Sequence, residues 1–139
     1  MKRLIVRIFF LLFFTATTAL AAVPQAQKTV ILQTQSAWNG VKIEPLHIAN
    51  PEVTVAKVTI PSGAILPMHK HVMLNAAYLI KGSLLVETQS GQTITLKAGD
   101  AINETVNTWH FGKNIGDDDV EIIVFYVGEK GAPLATAKD

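Results

Sequence analysis

The stretch Gly63-Ala64-Ile65-Leu66-Pro67-Met68-His69-Lys70-His71, continued through Asn75 to Gly82, decides how this chain is read. His69 and His71 are one residue apart. On a strand, side chains at i and i+2 leave the same face. Two imidazoles so placed can converge on one metal ion, with nitrogen–metal bonds of about 2.0–2.1 Å for zinc. A single H-x-H pair is a weak pattern. It gains weight from His110, in Thr108-Trp109-His110-Phe111, which follows after several strand-like segments. His47 is the remaining histidine; with no partner nearby in sequence, it reads as a surface or core residue.

Outward from this stretch, the chain consists of short segments rich in β-branched residues, broken by turn residues. Val53 to Ile60 alternates, its valines and Ile60 changing face after Ala56, and Pro61-Ser62-Gly63 ends it. Asn75 to Ile80 runs to Lys81-Gly82, Ser83 to Thr88 to Ser90-Gly91, and Gln92 to Leu96 to Gly99-Asp100. Thr108 to Phe111 precedes a turn-rich Gly112-Lys113-Asn114-Ile115-Gly116, and Glu121 to Val127 is the most apolar strand. Val41 to Leu46 alternates as well and predicts a strand carrying an edge proline, Pro45. Turns recur every 8–12 residues or so, the mark of a β-sandwich or barrel. No long apolar stripe of helical period follows the N-terminal segment. The expectation is an all-β single domain with its core over about 27–128, and a frayed tail from Gly131.

Two linked motifs give this pattern a likeness. Gly63, five residues, His69-x-His71, three residues, Asn75, six residues and Gly82 form the first; Gly99, Thr105, Asn107, His110 and Asn114 form the second. Together they resemble the cupin superfamily over Gly63 to Asn114. The first motif of that superfamily carries glutamate where this chain has Asn75. The second carries proline and glycine where it has Thr105 and Asn107.

The resemblance implies a double-stranded β-helix, the jelly-roll barrel of cupins. It also implies that His69, His71 and His110 are metal ligands, with Asn75 a candidate fourth. An amide brings a dipole where carboxylate brings charge, so three neutral imidazoles leave the full charge of a divalent ion in place. Such a site favours an anionic or chelating small molecule. Imidazole ligands suit iron, zinc, copper, manganese or nickel, and the residues do not choose among them. Glu104 and Glu44 are candidates to supply the missing acid, although no general acid or base stands beside the ligands in sequence. By alternation Tyr78 and Trp109 fall one residue off the faces of Asn75 and His110 and read as packing residues. Histidines buried and hydrogen-bonded without metal are the plainer alternative. The Asp117-Asp118-Asp119 run lacks the glycine and distant glutamate of a calcium loop and reads as a solvated turn.

The N-terminus reads as an address. Lys2, Arg3 and Arg7 precede an apolar run, Ile8 to Phe14, and then small residues to Ala22. This predicts a Sec-type signal peptide over 1–21, cleaved after Ala21 or one residue later, and an exported protein, periplasmic or secreted. The run is too short to anchor the chain, since a spanning helix needs about 20 apolar residues. Without it the chain keeps nine lysines, no arginine and eleven acidic residues, so its formal charge moves from +1 to −2. That balance argues against nucleic acid and anionic membrane surfaces as partners. Cysteine is absent, which excludes disulfides and thiol chemistry.

Two functions fit these residues: a metal-dependent, oxygenase-like enzyme acting on a small polar or anionic molecule, or a non-catalytic protein that binds such a molecule through the metal. By analogy with cupins a homodimer is expected, with the edge near Val30-Ile31-Leu32 as its surface.

Overall fold

Alternation along the chain is realised as nine strands in a computed structural model that describes residues 23–138; the expected signal peptide lies outside them. The strands are β1 (Pro51–Ile60), β2 (Ile65–Lys70), β3 (Leu74–Lys81), β4 (Ser83–Thr88), β5 (Thr93–Lys97), β6 (Ala101–Asn103), β7 (His110–Asn114), β8 (Val120–Glu129) and β9 (Thr136–Ala137). They form two sheets, ordered β1-β8-β3-β6 and β5-β4-β7-β2-β9, with antiparallel pairing throughout. This is the double-stranded β-helix. No helix of the described residues is long and apolar enough to cross a membrane.

Each strand turns alternate residues inward, as the period of two demands. Ala77 and Leu79 of β3, Leu84 and Val86 of β4, and Ile122 and Val124 of β8 fill the space between the sheets. The change of face after Ala56 is real: Val53 and Val55 are exposed, whereas Val58 packs on the core and Ile60 is buried.

Three expectations are corrected. Val41 to Leu46 forms no strand; the segment makes only an isolated bridge, Ser36 to Lys42, beside a turn at Gly40. Its alternation meets no ladder partner. Val30-Ile31-Leu32 likewise lies outside any strand and is exposed, so it supplies no sheet edge. The tail is not frayed, because Thr136–Ala137 pairs with Lys70 and His69 and so closes the outer edge of β2. A further difference concerns Gly112 and Asn114, which belong to β7 rather than to a turn. Asn114 Nδ2 donates to the carbonyls of Ile60 (2.9 Å) and Asp118 (2.8 Å), and its Oδ1 accepts from Gly116 N–H (2.9 Å). The asparagine of the second motif is therefore a structural clamp.

Candidate metal centre

A β-bulge aims the first two histidines. Leu66 pairs with Gly112 and His69 with His110, so β2 carries one extra residue between them. With the extra residue, Leu66 and His69 share the inner face, the re-aiming for which bulges are used next to sites. His71 lies just past the end of β2, held by a bridge to Val106 and by donation from Asn107 N–H to its carbonyl (2.8 Å). His110 opens β7 and points inward with Gly112 and Asn114.

The three rings gather as expected. One ring nitrogen from each of His69, His71 and His110 lies within 4.8 Å of the others, and theirs is the one such group among the described residues. Ring centroids are 5.0 Å apart for His69–His71, 4.4 Å for His69–His110 and 5.2 Å for His71–His110. The other nitrogens settle the chemistry. Nδ1 of His69 faces the carbonyl of Pro67 at 2.7 Å, Nδ1 of His71 that of Leu134 at 2.7 Å, and Nδ1 of His110 that of Thr108 at 2.9 Å. A carbonyl only accepts, so each Nδ1 carries its proton, and each neutral ring keeps a bare Nε2 lone pair. Fixing the far nitrogen on a carbonyl is how metal-ligating imidazoles are oriented.

Glu104 stands beside this cluster, which sequence reasoning underrated. Its Oε2 lies 2.7 Å from His71 Nε2, a contact that becomes an ion pair when His71 takes a second proton. It stays outside the set of mutually close ligand atoms. Alternation from buried Ile102 could have found it, since residues 102 and 104 share a face. Burial pushes the Glu104 carboxyl up, but the imidazoles, His71 foremost, outweigh this and hold it below its usual range. Burial disfavours the charged form of His71 too, yet the Glu104 carboxylate and the Leu134 carbonyl raise its pKa. His69 and His110 are lowered, chiefly by burial, against the pull of the Pro67 and Thr108 carbonyls. Tyr126, its ring 5.7 Å from that of His71, is pushed up to about 12 by burial and then by Glu104, and remains a neutral phenol.

Around these groups lies a cavity of about 50 Å³, walled by Val58, Leu66, Leu84, Val86, Ile122 and Val124. Asn75, the candidate fourth ligand, is buried on β3 but does not line this cavity, and both atoms of its amide lack a partner. Its backbone carbonyl accepts from Glu104 N–H at 3.2 Å. The residue in the glutamate position of the motif thus helps to place the acid that is present. Glu44 and His47 are exposed on a groove of about 500 Å³ that shares Glu104 with the cavity, and they are not part of the cluster. Asp100 Oδ2 accepts from Lys97 N–H at 2.7 Å, a local turn contact, and Trp109 lies outside under Lys70, whose Nζ is 5.0 Å from the ring centre.

The family model for the cupin domain matches residues 56–126, just over half of the sequence. The chain is a cupin. No curated protein matches it. Among solved structures, this cupin is similar to a DMSP lyase (15% identity, TM-score 0.55, covering 63% of this chain and 44% of that one). It is similar as well to an oxalate oxidase in complex with glycolate (20%, 0.54, 61% and 45%). A third is the Lactobacillus farciminis oxalate decarboxylase in its formate complex (20%, 0.54, 61% and 26%). The cupin spans less than half the length of each of these chains, and at such identities the likeness is one of fold.

Proposed function

We propose that this cupin is an exported, metal-dependent enzyme of the oxygenase kind that acts on a small carboxylate. The observation carrying this reading is the convergence of three bare imidazole nitrogens on one point beside a cavity with aliphatic walls. Bound there by His69, His71 and His110, a divalent transition metal would supply Lewis acidity and, for iron, copper or manganese, access to oxygen chemistry. The cavity of about 50 Å³ has room for one or two waters or a diatomic gas, since a water takes about 30 Å³. Aliphatic walls offer water few partners, whereas an apolar diatomic gas needs none. Glu104 is the one carboxylate on the cavity wall, and it is placed to accept a proton beside the His71 Nε2 atom. Glycolate and formate, the ligands of the two oxalate enzymes, are small carboxylates that match a site with three neutral protein ligands.

A second reading, a binding protein that retains a small anion without turnover, is favoured by the smallness of the same cavity. Metal analysis, followed by oxygen-electrode assays with oxalate, glycolate and formate on iron- and manganese-loaded protein, separates them. Expected are one ion per chain, its loss in the double variant His69→Ala/His71→Ala, and oxygen uptake with one of the acids. Anion retention without uptake would select the binder. Equal metal content in wild type and double variant would remove the site altogether.

A further inference from the structure

The three ligands differ in how their rings are held. His69 and His110 each donate Nδ1–H to a carbonyl two residues back, Pro67 and Thr108, so a local turn of chain orients them. The His71 ring has no such local support. It lies beyond the end of β2, and its Nδ1 partner is the carbonyl of Leu134, 63 residues later. That carbonyl is itself fastened at several points. The Leu134 side chain packs against the core, and Thr136 and Ala137 pair with Lys70 and His69. Lys138 N–H donates to the Met68 carbonyl at 2.9 Å, and its Nζ reaches Gln89 Oε1 at 2.9 Å, with the Trp109 ring 5.9 Å away.

We propose that the C-terminal segment from Leu134 to Lys138 is a positioning strap for the metal centre: the Leu134 carbonyl fixes the tautomer and direction of the His71 ring, and β9 holds the strand that carries His69. The inference rests on the reading of the three histidines as metal ligands. Losing an outer partner of a ligating histidine weakens metal binding by about 10–100-fold, and here the partner is a backbone group that no side-chain substitution removes.

The test compares the full chain with one ending at Ala132, using cobalt(II) as probe and long-range proton–nitrogen spectra of the imidazoles. Cobalt affinity is expected to fall by about 10–100-fold on shortening. The ring of His71 is expected to lose its fixed Nδ1–H form while His69 and His110 keep theirs. Leu96→Ala, a core variant chosen to match any loss of stability, is expected to change neither readout. If the shortened chain binds cobalt as the full chain does and His71 keeps its Nδ1 proton, the strap falls while the metal centre stands. If the full chain takes up no cobalt, both fall. Finding His71 neutral with its proton on Nε2 and none on Nδ1 in the metal-free full chain overturns the strap even where the shortened chain does not fold.

Discussion

Asn75 occupies the glutamate position of the family motif, and the carboxylate nearest the histidines is Glu104. The carboxylate sits against His71, while the buried amide has no partner. Two expectations follow at this scale. Each ligating ring must be free of a proton on Nε2, so metal affinity is level at neutral and higher pH and declines on acidification. His71 protonates first because Glu104 raises its pKa, whereas His69 and His110 resist protonation because burial lowers theirs. Glu104→Gln removes the raising influence, so the decline should begin at lower pH with the ion count unchanged; titration of metal affinity against pH reads this directly. A decline starting at the same pH would mean that Glu104 does not govern His71. For Asn75, a buried unpaired polar group costs about 1–3 kcal/mol. Asn75→Leu should therefore leave the fold as stable or more stable in urea unfolding, with metal affinity unchanged; loss of the ion would show that the amide serves it.

Among the elements, the turns between strands carry the sharpest constraints. Gly82 has φ of +89°, and a Cβ there would come within 2.8 Å of Val120 Cγ2 and 3.0 Å of the Asp119 carbonyl and Val120 Cα, two backbone atoms. Gly91 has φ of +85° with open space around it. Gly91→Ala should cost about 1 kcal/mol, the strain of the left-handed region alone. Gly82→Ala should cost about 2–3 kcal/mol more, as overpacking against backbone adds to that strain. Equal midpoints in denaturant would refute the difference. The longer strands were legible from sequence because alternation sustained over roughly four to eight residues suits a half-buried strand and little else. β6 and β9, with three and two residues, are too short to show a period. Val41 to Leu46 shows the period and has no ladder partner, and pairing is not encoded in the pattern of one segment.

For the molecule as a whole, a ligand that binds only the folded state stabilises it by mass action. At a metal concentration a hundredfold above Kd the gain is about 2.7 kcal/mol, so removing the ion with a chelator should lower Tm visibly in a thermal scan, and re-addition should restore it. No change on chelation would mean that the native fold holds no ion. The histidine triad could be read from spacing because its side chains are its chemistry. The partners that orient it could not, since Pro67, Thr108 and Leu134 act through carbonyls that every residue possesses. Joining Lys70 to Thr136, and Pro51 to Glu129, has a further result. A chain made from its N-terminus carries both members of the H-x-H pair long before the residues that complete their surroundings exist. On the reading of the three histidines as metal ligands, an ion can be held by the finished site only once residues 110 and 134–138 are in place, and whichever ion is abundant where folding finishes has the first opportunity to enter.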